Sequence, residues 1–297
     1  MKKFGSVALV GRPNAGKSTL VNRLLGEKLA IVSDKPQTTR HRMVGLLSEE
    51  PGQLVFFDTP GVHRPLHRMN RQMVQHAVDA LEEADVVALL VDVTTSFGAG
   101  DQYLLDLLAK SGGEGVKIAV LNKADRVLHK EKLLPEIARY ANTGLFRDIV
   151  PISAKTGDGV DRLLALFWEL VPEGEAAYDP ELLTVHPERF LVAERIREKV
   201  LAATRDELPF STAVKLDAYE ESDRLVKIYA TLLVERPGQK AILVGRQGEM
   251  IKRIGTAARQ DVEEFLERKV FLDLRVREEP DWRENADILS ALERDVF

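Results

Sequence analysis

One short motif near the start of the chain limits which folds the chain can adopt. Gly11-x-x-x-x-Gly16-Lys17-Ser18 lies between the apolar run VALV and a helical pattern that continues to about Leu25. A glycine-rich loop in this setting closes its backbone N–H groups around a phosphate, with a strand before it and a helix after it. The chain is therefore expected to begin with a βα unit of a parallel sheet. A glycine turn that only caps the helix is the alternative.

The side chains of the same loop suit a nucleoside triphosphate. Lys17 would bridge the β- and γ-phosphates, and the hydroxyl of Ser18 would bind Mg²⁺. The residues assigned to the nucleotide in this loop are Gly11, Asn14, Ala15, Gly16, Lys17, Ser18 and Thr19.

Short apolar runs alternate with helical patterns as far as residue 171, which is typical of an α/β domain. Buried parallel strands are predicted at Phe4–Val10, Val55–Asp58, Val86–Asp92, Val116–Leu121 and Ile149–Ile152. Met43–Ser48 is predicted as an additional, antiparallel edge strand. Amphipathic helices are predicted at Arg68–Glu82, Lys130–Asn142 and Val160–Leu170. We therefore expect an α/β P-loop domain with a mostly parallel sheet, helices on both faces and the ligand at the carboxyl ends of the strands.

The composition changes after the last of these helices. The chain has 297 residues, more than one hydrophobic core usually fills, so two domains are expected. Residues 173–187 are acidic and contain prolines, which is typical of a linker. We predict a nucleotide-binding domain over residues 1–172 and a second, α+β domain over residues 188–297. Its elements are predicted as a helix at about 188–205, strands at 212–220 and 225–234, two helices, a strand at 269–277 and a final amphipathic helix at about 284–295.

Two further segments of the first domain carry groups for the metal and the γ-phosphate. Asp58-Thr59-Pro60-Gly61 ends a predicted strand, so the Asp58 carboxylate can hold Mg²⁺ and the Gly61 N–H can approach the γ-phosphate. The polar loop 36–40 contains two threonines, of which Thr39 is preferred over Thr38 as a further Mg²⁺ ligand. Ser18, Thr39 and Asp58 are thus the predicted metal ligands.

The choice of base is predicted from two loops that follow later strands. In Asn122-Lys123-Ala124-Asp125 the carboxylate can accept two hydrogen bonds from guanine, whereas adenine offers it no matching pair of donors. Ser153-Ala154-Lys155 follows the last strand of the domain and can direct the Ala154 N–H at the guanine oxygen. The nucleotide-binding residues of these loops are Asn122, Lys123, Asp125, Ser153, Ala154 and Lys155. The predicted ligands are GTP and GDP.

The motifs GRPNAGKS, QTTRH, DTPG, NKAD and SAK occur in this order along the chain. In this order they resemble the translation-factor-related GTPases, and among these the chain is similar to the Era family of bacterial ribosome-assembly GTPases. The resemblance extends over essentially the whole chain and includes PERFLVAERIREKVL after the predicted linker. It implies hydrolysis of GTP and binding to small-subunit (16S) rRNA near its 3′ end during assembly of the 30S subunit.

The way in which GTP is hydrolysed is less evident from the motifs. Val62 occupies the place of the glutamine that orients water in Ras-type GTPases. The predicted catalytic residues, which act through charge and positioning, are Lys17, Thr39, Gly61 and Asn14. In relatives with this P-loop pattern the residue matching Asn14 ligates potassium, so the resemblance implies K⁺ as a further cofactor; turn formation is the alternative role of Asn14. His63 is the nearest group that could act as a base.

The second domain carries the sequence Gly245-Arg246-Gln247-Gly248 between the predicted helices Lys240–Val244 and Glu249–Glu267. A G-x-x-G turn between two helices, after two strands and before a third, resembles the type II K-homology arrangement, whose groove holds about four unpaired nucleotides. A helix hairpin with a glycine C-cap is the alternative. Residues 236–260 carry six Lys and Arg against one Glu, a local charge of +5 in a chain of net charge −5, which favours RNA.

Ile242, Val244, Ile251 and Ile254 are interleaved with these charges and could form the floor of a groove. The predicted RNA-binding residues are Lys240, Ile242, Gly245, Arg246, Gln247, Gly248, Lys252 and Arg253.

Composition limits the alternatives. The absence of cysteine excludes disulfides and Cys-ligated zinc, and no structural metal is expected. It also counts against a tRNA-modification GTPase, because those relatives carry a functional cysteine.

No window of the sequence approaches the ~18 apolar residues of a membrane span. We expect a cytoplasmic monomer, with peripheral contact to the inner face of the membrane as a further expectation. A membrane-attached signalling GTPase and an RNA chaperone with an inactive nucleotide domain are the remaining alternatives.

Overall fold

The structure is a computed structural model that describes residues 2–35, 37–62, 67–205, 208–222, 224–293 and 296. The chain divides into two compact units, of which the first comprises Met1–Leu66 and Asn70–Val185 and the second His67–Met69 and His186–Phe297. None of the helices in the described ranges has the length and apolar character that crossing a membrane requires.

Six strands within the described residues form the sheet of the first unit, in the order β2-β3-β1-β4-β5-β6. They are β1 (Lys3–Gly11), β2 (Met43–Glu49), β3 (Gly52–Asp58), β4 (Val86–Asp92), β5 (Val116–Asn122) and β6 (Asp148–Pro151). Only β2 is antiparallel to its neighbour. The central strands are almost fully buried because helices cover both faces. The expected α/β sheet with an antiparallel edge strand is confirmed.

The helices of this unit are α1 (Lys17–Leu25), α2 (Arg68–Glu83), α3 (Ala99–Lys110), α4 (Leu134–Ala141) and α5 (Val160–Leu170). The predicted helix over residues 130–142 differs from the structure at its start, where Lys130–Leu133 forms a 3₁₀ turn before α4. Pro135 explains the late start, since proline is accommodated in the first turn of an α-helix and not in its interior. One apolar cluster packs β1, β4 and β5 against α2, α3 and Tyr140 of α4.

The proline-bearing segment that sequence reasoning treats as linker belongs, up to Val185, to the first unit. Its backbone hydrogen-bonds to the edge strand β2, whose Leu46 N–H donates to the Leu183 oxygen at 2.8 Å. The side chain of buried Gln53 accepts from the Tyr178 N–H at 3.0 Å and donates to the Tyr178 oxygen at 3.0 Å. The segment in this way supplies hydrogen-bond partners for backbone groups that would be unpaired at the edge of the sheet. The composition of the segment does not reveal this role.

The described part of the second unit contains a three-stranded sheet in the order β7-β8-β9, with β7 antiparallel and β9 parallel to β8. Its strands are β7 (Ala213–Glu221), β8 (Leu225–Val234) and β9 (Lys269–Glu278). Its helices are α6 (Glu188–Ala203), α7 (Leu208–Ser211), α8 (Pro237–Val244), α9 (Glu249–Leu266) and α10 (Ala286–Glu293). α6 and α9 pack on one face of the sheet and form the core of this unit with it. The helix-strand-strand-helix-helix-strand order is confirmed.

Candidate nucleotide site and basic groove

A cleft of about 590 Å³ opens at the carboxyl ends of the parallel strands. Its walls come from the loop after β1, residues 31–34 and 37–39, Gly61 after β3, Asp92 at the end of β4 and Lys123 after β5. Parallel strands direct their following loops to the same edge of a sheet, which is why motifs far apart in sequence meet here.

The loop between β1 and α1 is shaped to receive a phosphate. Asn14 and Gly16 both have left-handed backbone conformations, with φ of 63° and 100°. A Cβ atom at Gly16 would lie 2.2 Å from the Asn122 amide nitrogen, so this position also requires glycine for space. The left-handed turns direct successive N–H groups inward, and α1 starts directly behind them with its positive dipole end towards the loop.

Lys17 is buried beside this loop, and its Nζ donates to the Gly11 and Arg12 oxygens at 3.3 and 3.2 Å. Burial lowers the pKa of Lys17 to about 8, although the nearby Asp58 carboxylate opposes that shift. A phosphate bound in the loop would add negative charge next to the buried ammonium. Ligand binding would therefore stabilise the charged form of Lys17.

Three side chains from different segments meet next to Lys17. The Ser18 Oγ donates to Asp58 Oδ2 at 2.6 Å and lies 2.9 Å from Thr39 Oγ1, which is 3.4 Å from the same carboxylate oxygen. The Thr38 hydroxyl instead donates to the Lys35 oxygen at 2.6 Å. The structure thus places Thr39, and not Thr38, beside Ser18 and Asp58.

The donor set of this cluster fits Mg²⁺. Two hydroxyl oxygens and a carboxylate are the hard oxygen ligands that Mg²⁺ prefers. Asp58 is fully buried, and its Oδ1 has no hydrogen-bond partner among the described residues. Burial raises the pKa of Asp58, while Lys17, Ser18 and Thr39 act in the opposite direction. A buried carboxylate with one unsatisfied oxygen is a group that a cation would stabilise.

The segment after Asp58 lies close to the phosphate loop. A Cβ at Gly61 would be 2.7 Å from Pro13 Cα, and the Val62 N–H donates to the Gly11 oxygen at 3.1 Å. The Val62 side chain is buried in the apolar cluster of this unit, so it has no access to an attacking water. His63 and Pro36 lie outside the described residues.

The two base-reading loops are joined by Asn122. Its amide nitrogen donates to the Ala15 oxygen at 2.7 Å, and its Oδ1 accepts from the Ala154 N–H at 2.9 Å. This differs from the sequence expectation for Ala154, whose N–H was predicted to face the guanine oxygen. The difference arises because buried Asn122 reaches across from β5 and takes that donor. Ser153 is fully buried, and its Oγ accepts from the Thr156 N–H at 3.1 Å, whereas Lys155 is exposed.

Lys123 adopts a left-handed conformation with φ of 67°, and its Nζ forms an ion pair with Asp92 at 2.5 Å. Burial raises the pKa of Asp92, but the hydrogen bonds from Lys123 and Thr94 outweigh burial and lower it overall. Asp125 follows in the 3₁₀ turn Ala124–Arg126, where its side chain is exposed.

Arg23 is a contributor that the motifs do not reveal. It lies on α1, and its guanidinium donates to the Lys155 oxygen at 2.5 Å and to the Ala154 oxygen at 3.4 Å. Arg23 therefore ties the helix behind the phosphate loop to the second base-reading loop. It is 131 residues away from Ala154 in sequence, and only the packing of α1 beside that loop brings the two together.

The second unit presents its G-x-x-G turn between α8 and α9. Gly245, Gln247 and Gly248 have positive φ angles of 72°, 52° and 80°. A Cβ at Gly248 would meet nothing within 4 Å, so the backbone of the turn is open to a ligand on this side. The exposed residues around the turn include the predicted Lys240, Ile242, Arg246, Gln247, Lys252 and Arg253, and also the acidic Glu249.

A groove of about 300 Å³ runs between α9 and β9 next to this turn. Its cations are Lys252 and Arg259, and its apolar floor comes from Ile251, Leu272 and Leu274. Ile254 faces the core and does not line the groove, because a helix turns one side of its residues towards the sheet. Ile242 is the opposite case, an apolar side chain that is 54% exposed.

Both halves of the chain are similar in sequence to known protein families. Residues 6–123 match the family model described as 50S ribosome-binding GTPase, and residues 207–283 match the KH domain model. GTPase Era of Geobacter metallireducens is 47% identical over 98% of this chain and 97% of its own length. GTPase Era of Crocosphaera subtropica is 43% identical over 95% of this chain and 90% of its own length.

Two solved structures share the fold over nearly the full length. A crystal structure of Era in complex with MgGDPNP and nucleotides 1506–1542 of 16S ribosomal RNA matches with a TM-score of 0.94 at 36% identity, covering 98% of this chain and 99% of its own. An Aquifex aeolicus Era variant bound to GDP·AlF4⁻ matches with a TM-score of 0.93 at 37% identity, covering 98% of each chain. Neither the tRNA-modification GTPase nor the membrane-attached signalling GTPase gains support from these likenesses. Motif order, fold and identity over the whole length lead to one conclusion: the chain belongs to the Era family of GTPases.

Proposed function

We propose that this GTPase is a GTP-driven switch that binds 16S rRNA near its 3′ end and assists assembly of the 30S ribosomal subunit. The observation that carries the proposal is the presence, in one chain, of a phosphate and Mg²⁺ site and of a basic groove beside a G-x-x-G turn. The Era structure that matches over nearly the whole length binds MgGDPNP and a 16S rRNA segment at once.

The hydrolysis of GTP rests on charge and positioning in this proposal. Lys17 neutralises charge on the β- and γ-phosphates, and the Gly61 N–H donates to the γ-phosphate. Ser18, Thr39 and Asp58 hold Mg²⁺, which when bound offsets the charge that develops on the transferred phosphoryl group. Asn122 and Arg23 keep the base-reading loops in a fixed position relative to the phosphate loop.

A potassium ion beside Asn14 is part of the same proposal. The Asn14 amide nitrogen donates to the Asp34 oxygen at 2.7 Å, which leaves the amide oxygen as the ligand for a cation. We expect faster hydrolysis in potassium than in sodium at equal ionic strength, and we expect Asn14→Ala to remove the difference. Steady-state phosphate release in the two salts measures this. Equal rates for the unchanged protein would eliminate the potassium role and make His63 the next residue to substitute.

The RNA is placed in the groove between α9 and β9. Lys252 and Arg259 neutralise phosphates, Ile251 and Leu272 contact base faces, and the open backbone of the G-x-x-G turn approaches the sugar-phosphate chain. Arg246, Gln247 and Lys240 are exposed on the approach to the groove.

The proposal includes the cellular location and the oligomeric state of the protein. The protein works as a monomer in the cytoplasm, where its RNA partner is found. Peripheral contact with the inner face of the membrane would use the basic side of the second unit, since anionic lipids attract such clusters. Co-sedimentation with anionic and neutral vesicles tests the membrane contact, and equal sedimentation with both would remove it.

The function is tested by measuring RNA affinity and GTP hydrolysis on the intact protein. We expect tight binding to a 16S rRNA segment covering nucleotides 1506–1542 and weak binding to an RNA of the same length and composition in scrambled order. GTP should be hydrolysed and ATP should not. Equal affinity for the two RNAs would overturn the rRNA assignment, and depletion of the protein without loss of 30S subunits would overturn the assembly role.

A further inference from the structure

The sheet of the second unit has an outer face that the proposed RNA groove does not use. Side chains alternate between the two faces of a strand, and Ile228, Ala230 and Val270 point into the core. Tyr229 and Phe271 therefore lie on the opposite face. Their ring centroids are 5.8 Å apart at an interplanar angle of 59°, and Phe271 is 48% exposed.

This arrangement has the geometry of a stacking platform. Tyr229 and Phe271 lie on neighbouring strands, where Lys227 is opposite Phe271 and Tyr229 is opposite Asp273. Pairs of aromatic side chains on adjacent strands of an open sheet are a means by which proteins stack unpaired bases.

Charges around the two rings favour a polyanion. In strand register beside the rings lie the cations Lys227, Lys269 and the 74% exposed Arg275 and the carboxylates of Glu220 and Asp273. Further along the same face Asp217 is paired with Lys215 at 3.2 Å, so that pair adds no net charge. Asp273 and Arg275 form an ion pair at 3.0 Å and offset each other, which leaves Lys227 and Lys269 against Glu220 as the remaining charges beside the rings. The cations border the aromatic pair on both β8 and β9.

A protein partner suits this face less well. Ile242 and Phe271 are the exposed large apolar side chains among the described residues of the second unit, and Ile242 is on α8. A stable protein interface buries roughly 800 Å² per partner around an apolar centre, and a single exposed Phe with one neighbouring Tyr does not supply such a centre. Two rings bordered by lysine and arginine instead match the chemistry of unpaired nucleotides.

The groove and the aromatic pair share one strand. β9 is an edge strand whose Leu272 and Leu274 line the groove, while Phe271 and Arg275 face the other side. The groove of a K-homology domain holds about four nucleotides. The groove and the rings thus lie on opposite sides of one edge strand, which an RNA longer than the groove holds has only to cross to reach the rings.

We propose that the outer face of the β7-β8-β9 sheet, centred on Tyr229 and Phe271, is a second single-stranded RNA surface that stacks unpaired nucleotides flanking those in the groove. The proposal rests on the proposed RNA-binding function of this unit. Tyr229 and Phe271 stack on bases, and Lys227, Lys269 and Arg275 neutralise phosphates.

The test uses the full-length protein and the 16S rRNA segment 1506–1542 as the probe. Phe271→Ala and Tyr229→Ala should each weaken binding by about fivefold or more, because a base stacked on an aromatic side chain contributes that much affinity. Phe271→Leu is the matched control for apolar bulk without stacking and should lose as much as Phe271→Ala. Phe271→Trp keeps stacking, so it should bind as the unchanged protein does.

Phe271→Trp also reports directly on stacking. Its added tryptophan fluorescence, measured as the difference from the unchanged protein with its two tryptophans, should be quenched when RNA binds. The expected result is quenching together with the fivefold losses. Unchanged affinity of Phe271→Ala would overturn the proposal and leave the face to a protein partner. Full affinity of Phe271→Leu would overturn it as well, since packing and not stacking would then be involved.

The proposed function and this inference can fail separately. If the unchanged protein binds the 16S segment no better than a scrambled RNA, the rRNA assignment falls. A 20-nucleotide oligouridylate then decides the inference, because Phe271→Trp should still be quenched by it and Phe271→Ala should still bind it less tightly. Quenching by neither RNA would overturn the second surface whatever the outcome for 16S rRNA.

Discussion

Asp125 stands between Lys123 and Arg126, two residues that line the nucleotide cleft, and its side chain is exposed at the end of β5. Water solvates this carboxylate until a base covers it. A base without two hydrogen-bond donors displaces that water and leaves the carboxylate without replacement hydrogen bonds. This uncompensated loss is the physical basis of discrimination at this residue.

We expect Asp125→Asn to weaken GTP binding by about a hundredfold, because two hydrogen bonds to a charged acceptor are lost. The same variant should favour xanthosine triphosphate, whose 2-oxo group accepts from the new amide. Titration of both nucleotides measures the switch. Asp125→Ala is the control, since it offers neither group and should bind both weakly. An unchanged preference for GTP in Asp125→Asn would mean that the base is read elsewhere.

Arg23 gives a second prediction for a single residue. Arg23→Ala removes the donors that hold the Ala154 and Lys155 oxygens, so nucleotide dissociation should accelerate by about fivefold, the value of roughly one net hydrogen bond. The loss should be equal for GDP and GTP, because the loop is assigned to the base and not to the γ-phosphate. Arg23→Lys keeps one donor and should recover part of the affinity. Stopped-flow release of a fluorescent GDP analogue measures these rates, and wild-type release from Arg23→Ala would contradict the role.

At the scale of elements, the α8–turn–α9 segment combines a turn of unusual backbone conformation with two flanking helices that are anchored in the core. Gln247 has a φ of 52°, which costs a residue with a side chain conformational energy, while Gly245 and Gly248 adopt positive φ at little cost. The buried Leu243 and Ile254 on the flanking helices hold the turn in place. The turn is thus anchored by the core on one side and has an open backbone on the other. An anchored, open backbone suits a ligand that is bound through its phosphates.

Gly248→Asp should reduce RNA affinity at least tenfold, because it places a negative side chain where phosphate approaches. Aspartate and asparagine tolerate the left-handed conformation about equally, so Gly248→Asn is the control for shape without charge. Gly248→Asn should lose much less affinity than Gly248→Asp. Fluorescence anisotropy with a labelled 16S segment measures both, at a fixed salt concentration because phosphate contacts depend on salt. Equal losses in the two variants would show that charge is not the cause.

At the scale of the whole molecule, nucleotide and RNA are assigned to different units of one chain. The segments around Thr39 and Gly61 are the ones that would become ordered around a γ-phosphate and relax after hydrolysis. If the RNA site responds to that change, the two ligands must affect each other to the same extent, because linkage is reciprocal.

We therefore expect RNA affinity to differ about five- to 150-fold between the protein with GDP and the protein with a non-hydrolysable GTP analogue. The affinity for the analogue should change by the same factor when RNA is added, which isothermal titration measures. ATP, which we expect the base-reading loops to exclude, serves as the control nucleotide and should leave RNA affinity unchanged. Identical RNA affinity with GDP and with the analogue would show that the two functions are independent, and the switch would be abandoned.

The sequence by itself determined the order of elements and the chemistry of the motifs. A glycine-rich loop after an apolar run, a carboxylate at a strand end and a G-x-x-G turn between helices each impose a local backbone geometry, and local geometry is encoded in neighbouring residues. For this reason the α/β sheet, its antiparallel edge strand and the element order of the second unit were all predictable.

Only the tertiary structure decided which groups meet. Thr39 lies beside Asp58 while Thr38 bonds Lys35, although the two threonines are adjacent in sequence. Asn122 takes the Ala154 N–H, and Arg23 reaches a loop 131 residues away. The segment 173–185 hydrogen-bonds to the sheet of the first unit and is not a free linker. Phe271 contacts Tyr229 on the outer face of the second sheet. These contacts join residues that are distant in sequence, or choose between equivalent neighbours. Long-range packing fixes them, and no local pattern of residues carries that information.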